Sequence, residues 1–112
     1  MRILITGAHG FLGKHLVRNL LEKRHIPEKD LFLPKVQDLD LRKWEDCQKA
    51  VKNQEIVIHL AAITGNIDFH QLNPGKIFYD NIMMGVQLME AARLAQVKKF
   101  INIGSATEYP QT

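Results

Sequence analysis

Near its amino end the chain reads Ile3-Leu4-Ile5-Thr6-Gly7-Ala8-His9-Gly10-Phe11-Leu12-Gly13. An apolar strand enters a turn with glycines at positions 7, 10 and 13, and an amphipathic segment leaves it. A turn of this shape suits a dinucleotide pyrophosphate. Gly7 lets the chain turn tightly, Gly10 offers no side chain to block the phosphates, and Gly13 lets the next helix pack close to the strand. The start of that helix presents free backbone N–H groups. A glycine triplet alone is a weak signal. Between a strand and a helix, at the start of the chain, it becomes a strong one. The competing reading is an ordinary strand–helix turn.

The rest of the chain alternates in the same way. Residues 2–6 read as a buried strand. Residues 11–24 read as a helix with Leu12, Leu16 and Leu20 on one stripe and Val17 and Leu21 beside it, ended with the help of Pro27. Residues 30–34 form a short second strand that Pro34 stops. Residues 41–52 read as a helix with Trp44, Cys47 and Val51 inward and Asp40 placed to cap it. Residues 55–60 form a third strand, apolar enough to be buried on both faces. Asn73-Pro74 starts a helix that runs to about Ala95 and carries Phe78, Ile82, Val86 and Met89 on one face. Met83, Met84 and Met89 read as core residues rather than cofactor contacts. Residues 99–103 form a fourth strand, with Gly104-Ser105 at its carboxyl end. The fold class is therefore α/β: a parallel sheet of about four strands with three helices on both faces. Ligands of such sheets bind beyond the carboxyl ends of the strands, where the strand order reverses. The turns after the four strands are thus the informative ones.

At 112 residues the chain fits one domain. The net charge of +3 is mild and no Lys/Arg stripe is present, which argues against a nucleic-acid partner. Cys47 is the only cysteine, so no internal disulfide forms, in keeping with a reducing compartment. There is no apolar stretch of membrane-spanning length and no signal-peptide pattern, so no membrane partner is expected. The protein reads as cytoplasmic. His59 sits in a buried strand as a hydrogen-bonded core histidine, and no His or Cys set has the spacing of a metal site.

Thr6-Gly-Ala-His-Gly-Phe-Leu-Gly13 resembles the Thr-Gly-x-x-Gly-x-x-Gly signature of the extended short-chain dehydrogenases/reductases, the NAD(P)-dependent epimerase/dehydratase family. His59-Leu-Ala-Ala62, Phe78-Tyr-Asp-Asn-Ile-Met-Met-Gly85 and Asn102-Ile-Gly-Ser105 with Tyr109-Pro110 narrow the resemblance to the GDP-L-fucose synthase subfamily. It covers nearly the whole chain but only the first part of that family's fold. Residues 1–112 are then a partial NAD(P)-binding Rossmann domain, without the family's substrate domain. The resemblance implies the strand order second, first, third, fourth, and hydride transfer on a small-molecule nucleotide-sugar substrate. It also implies homodimerisation, with the helix from Asn73 to Ala95 as a candidate face.

By the same resemblance Ser105 matches the serine that hydrogen-bonds the substrate oxygen, and Asn81 the asparagine of the catalytic set. Thr107 stands where the synthases carry an acid/base cysteine, and it has no readily ionised thiol. Asn66 and His70 stand where the synthases usually carry a glycine and an asparagine, near the sugar pocket. The family's Tyr-x-x-x-Lys pair is not found: Tyr79 is followed four positions on by Met83, and only three residues follow Tyr109. The isolated 112-residue chain is therefore expected not to turn over, as a truncated or partial member. A non-catalytic NADP-binding module and a non-functional fragment are the alternatives.

The cofactor contacts expected are the turn Gly7, Ala8, His9, Gly10, Phe11, Leu12 and Gly13, the strand end Leu60, Ala61 and Ala62, and Gly104. Asp40 and Leu41 border the adenine by resemblance. Lys35 lies just past the second strand, where NAD-specific members carry a carboxylate for the ribose hydroxyl. A cation there suits the 2′-phosphate of NADP, with NAD as the alternative. The bland readings are a solvated loop lysine, a helix cap at Asp40, a solvent-facing loop histidine at His9 and core packing at 60–62.

Overall fold

A computed structural model of the protein describes residues 1–61 and 74–102. Strand β1 (Ile3–Thr6) leads into helix α1 (Phe11–Glu22), and a 3₁₀ turn (Glu28–Asp30) precedes the short β2 (Leu31–Phe32). Helix α2 (Trp44–Val51), β3 (Ile56–His59), α3 (Pro74–Leu94) and β4 (Lys99–Asn102) complete the order. The strands form one parallel sheet in the order β2-β1-β3-β4, as the resemblance implied. The strand order therefore reverses at β1, whose two neighbours are β2 and β3, and the crevice of such a sheet opens beyond its carboxyl end.

Strand alternation decides which helix each residue meets. Ile3, Ile5 and Ile58 bury on the α1 side with Ala8, packed by Leu16, Val17 and Leu20. Leu4 and Val57 bury on the other side against Cys47, Ala50 and Val51 of α2 and Met84, Leu88, Ala91 and Ala92 of α3. Leu4, Ile5, Val57 and Leu88 are wholly inaccessible, and each contributes about 1.5–3 kcal/mol by leaving water. Helices thus cover both faces of the sheet.

Several boundaries differ from the sequence reading. In α1, Leu12 is 52% exposed rather than inward. It lies in the first turn, which projects past the end of the sheet. The second strand pairs only at Leu31 and Phe32, because residues 28–30 are drawn into the 3₁₀ turn. Helix α2 begins at Trp44, not at residue 41, and its N-cap is Lys43. Asp40 therefore does not cap it. Its carboxylate accepts from the N–H, Nε and Nη2 of Arg42 instead, and its own N–H donates to Asp46 Oδ2 at 2.8 Å. A bidentate charge-assisted pair outcompetes a neutral N–H of the first turn.

On α3, Phe78, Ile82, Val86 and Met89 do share a face, and it points outward, each being 48–68% exposed. The sheet side is taken by Ile77, Met84, Leu88, Ala91 and Ala92. Met84 is core, as expected, but Met89 is not. The helix packs closely against α2, and a Cβ built on Gly85 would make an ordinary contact with His59 Nε2, at 4.0 Å.

Candidate cofactor-binding site

The three glycines of the first turn do different things. Gly7 has φ +71°, a left-handed conformation, and a Cβ there would lie 2.7 Å from Ala61 N and 2.8 Å from Leu60 C. A Cβ at Gly13 would lie 2.2 Å from the Gly7 carbonyl oxygen and 2.6 Å from Ala8 Cα. The protein's own packing therefore demands both. Gly10 is different. Its backbone is extended, at φ −81° and ψ −179°, and among the described residues beyond its chain neighbours the one heavy atom within 4 Å of its Cβ position is the Gly7 oxygen, at 3.5 Å. Gly10 is also the N-cap of α1; among the described residues no side chain caps that helix, and no acidic residue lies in its first turn. The exposed turn has Phe11 beside it, edge-on to His15 with ring centroids 4.7 Å apart. Open space, uncapped backbone donors and the positive end of a helix dipole together fit a phosphate.

The exit of β3 forms the other wall. Thr6 and His59 are register partners in adjacent strands. Thr6 Oγ1 lies 2.7 Å from His59 Nδ1 and accepts the N–H groups of Leu60 and Ala61, each at 3.1 Å. Both side chains are buried, and burial pushes the His59 imidazole below its usual pKa. His59 is thus the hydrogen-bonded core histidine expected.

At the end of β2, the exposed His9 donates from Nε2 to the Leu33 carbonyl at 3.1 Å, tying the glycine turn to that strand's exit. A groove of about 350 Å³ runs from there along α1, lined by Ala8, His9, Leu33, Lys14 and Arg18, with Glu22 toward its far end. Lys35 is exposed just beyond, its carbonyl accepting the N–H groups of Asp38 and Leu39. Arg42 holds the Asp40 carboxyl below the usual carboxylate range, against the smaller opposing effect of burial. Leu41 is buried in the core and its carbonyl accepts from Cys47 Sγ at 3.1 Å. The same stretch is tied to α3: Gln87 Nε2 donates to the carbonyls of Leu41 and Arg42, and Arg42 reaches Asp80 at 3.6 Å.

The structure thus brings Gly7, Gly10, Gly13, Leu60 and Ala61 together at one edge, with His9 joining it to the end of β2. Asn81 lies on α3 one turn before Gly85, the residue that faces His59. Ala62, Gly104, Ser105 and Thr107 lie outside the described residues, as do Asn73 and the Tyr109-Pro110 stretch. The sequence reading missed Thr6, Arg42, Asp80 and Gln87 as organising residues. Thr6 carried a signal: it is a hydroxyl at the end of an otherwise aliphatic buried strand. Among the described residues no cluster of His, Cys, Asp or Glu is arranged to hold a metal ion, and no helix is long and apolar enough to cross a membrane.

The model of the NAD dependent epimerase/dehydratase family matches residues 3–112, and the chain belongs to that family. It is 35% identical over 122 aligned positions to GDP-mannose 3,5-epimerase 1 of Oryza sativa subsp. indica, with 99% of this chain and 32% of that protein covered. It is 29% identical to the GDP-L-fucose synthase of Azorhizobium caulinodans, covering 97% of this chain and 34% of the synthase. Among solved structures it is similar to MlghC, a GDP-mannoheptose C4 reductase from Campylobacter jejuni with NADP bound. That match has a TM-score of 0.84 and 30% identity, over 97% of this chain and 32% of the reductase. The chain spans about a third of the length of the relatives it matches. The fold is the Rossmann-like one of NAD(P)-binding reductases, and the family's cofactor is a nicotinamide dinucleotide.

Proposed function

We propose that this chain is the NADP-binding part of a sugar-nucleotide epimerase or reductase resembling GDP-L-fucose synthase, acting by hydride transfer on a GDP-linked sugar. Gly10 carries the reading. It is the one glycine of the turn that the protein itself does not need, so its missing side chain is explained by a ligand lying over it. The pyrophosphate would rest on the first N–H groups of α1, while Leu60 and Ala61 leave a low wall for the ribose. The bound nicotinamide would donate or accept the hydride.

The 2′-phosphate of NADP is favoured over the free hydroxyl of NAD because β2 is followed by Leu33-Pro34-Lys35, without a carboxylate. Lys14 and Arg18 line the groove beside it. Asn81, Ser105 and Thr107 are assigned to the substrate side, on the residues that match the family. A GDP-linked sugar is favoured because the epimerase, the synthase and the reductase above are all named for one. The outward stripe Phe78, Ile82, Val86 and Met89 is assigned to contact with a second copy of the chain, since four large apolar side chains aligned on one helix face make a surface patch that association would bury.

Titration calorimetry with NADPH and NADH tests the cofactor assignment. Saturable NADPH binding, tighter than NADH binding and weakened more by Lys35→Glu than NADH binding is, supports it. No heat with either nucleotide overturns the reading. Equal affinities overturn the choice of NADP.

A further inference from the structure

We infer that His59 is a positioning residue of the nucleotide site: acting through the Thr6 hydroxyl, and only with its proton on Nε2, it fixes the exit of β3 against the glycine turn. A hydroxyl owns one proton and two lone pairs. At Thr6 the N–H groups of Leu60 and Ala61 both point to Oγ1 at 3.1 Å and use the lone pairs. The hydroxyl proton then has one place to go, His59 Nδ1 at 2.7 Å. That nitrogen must accept, so a neutral ring carries its hydrogen on Nε2. Thr6 is 2% and His59 5% exposed, so both partners are shielded from bulk water.

The chain of bonds ends where the site begins. Ala61 N, held by Thr6, is the atom that a Cβ on Gly7 would meet first. Leu60 N–H also meets the Thr6 main-chain carbonyl at 3.1 Å, so one residue of β1 holds the β3 exit through both backbone and side chain. Without the imidazole acceptor, the hydroxyl proton must compete for another acceptor and Oγ1 turns away from Leu60 or Ala61. A protonated ring fails in the same way, because Nδ1–H would confront an oxygen with both lone pairs engaged. Described neighbours of the ring include Thr6 of β1, Phe100 and the register partner Asn102 of β4, and Gly85 of α3, and these are uncharged. The inference rests on the assignment of Leu60 and Ala61 to the nucleotide.

Two measurements test it. Nitrogen-15 NMR of the histidine rings in the nucleotide-free protein should show His59 with a bare Nδ1 and a protonated Nε2. NADPH affinity should then fall roughly tenfold in His59→Leu and in Thr6→Val, the worth of one buried hydrogen bond. The double variant should be no weaker than the worse single one, since the pair acts as a unit. Thr6→Ser keeps the hydroxyl, and His59→Asn places an amide oxygen near the position of Nδ1, so both should stay within about threefold of the parent. A ring protonated on Nδ1, or losses that add in the double variant, overturns the inference. If His59→Leu does not fold, the parent's ring spectrum and His59→Asn decide the matter. A parent that binds no NADPH overturns the cofactor reading and this inference together. A parent that binds NADPH with Nδ1 protonated overturns this inference alone.

Discussion

Replacing Gly10 by valine separates the needs of the fold from those of the ligand. On the protein side the change is nearly free. The backbone there is extended, which any residue adopts, and the new Cβ would sit 3.5 Å from the Gly7 oxygen, an ordinary contact. Losing glycine at an N-cap destabilises by about 0.5–1 kcal/mol. Restricting the unfolded chain returns about 0.4–1 kcal/mol. The melting temperature should therefore move by no more than a few degrees, about 4–8 °C per kcal/mol for a domain of this order of size. On the ligand side the branched side chain would occupy the space over the first turn of α1. Hydrogen bonds from backbone donors to a charged phosphate are worth about 1.5–3 kcal/mol each. Losing two weakens binding by roughly 3 kcal/mol or more, at least about a hundredfold in Kd. Differential scanning fluorimetry and NADPH calorimetry on the same preparation read both sides. Gly10→Ala should fall between parent and valine in affinity and match both in stability. A valine variant that holds NADPH within threefold of the parent refutes the placement of the pyrophosphate. One that unfolds refutes the claim that Gly10 is spare in the fold.

The opposite outcome is expected at Gly13. Alanine there would lie 2.2 Å from the Gly7 oxygen, and Gly13→Ala should cost about 3 kcal/mol through backbone displacement, seen as a much lower melting temperature even without nucleotide. Burial, with smaller help from Asp46 and Asp40, pushes the Cys47 thiol up to about 11. At neutral pH it should not react with a disulfide reagent until denaturant is added, and rapid labelling of the native protein would show that the α2 core is open. His59 has a folded pKa below its unfolded value, so below about pH 6.5 the unfolded chain takes up the proton more readily. Its contribution to stability is full above that pH and declines as pH falls through the folded pKa. Melting temperatures between roughly pH 8 and 5 should show this fall, and His59→Asn should flatten it.

The glycine turn, the two-sided burial of β3 and the parallel sheet were all legible because each is written in a local pattern. A strand of Ile-Val-Ile flanked by polar residues has one sensible reading. The α3 face was not legible in that way. Phe78, Ile82, Val86 and Met89 repeat as well as Ile77, Met84, Leu88 and Ala91 do, and a helix apolar most of the way round gives no local reason to choose. Tertiary packing chose the stripe with Met84, Leu88, Ala91 and Ala92, which meets Cys47, Ala50 and Val51 of α2 as well as Leu4 and Val57 of the sheet. Asp40 illustrates a second limit. Aspartate just before a helical stretch reads as a cap, but Arg42, two residues on, binds both its oxygens and the helix starts later. The choice between the two is a competition of bond strengths, and spacing does not record it.

The polar side chains that sequence reading missed follow one logic. A parallel sheet delivers its turns to one edge but leaves each to find its own position. Here the described connections are each held by a side chain from a different element. Thr6 of β1 holds the β3 exit, His9 of the glycine turn holds the β2 exit, and Gln87 and Asp80 of α3 hold the stretch before α2. These ties join residues from 24 to 55 positions apart. No window short enough to reveal a helix or a strand contains both ends of any of them. The walls are thus tied across the fold rather than along the chain. A substitution at His59 or Gln87 that removes the hydrogen-bonding group should therefore disturb nucleotide binding, even though neither side chain need touch the nucleotide.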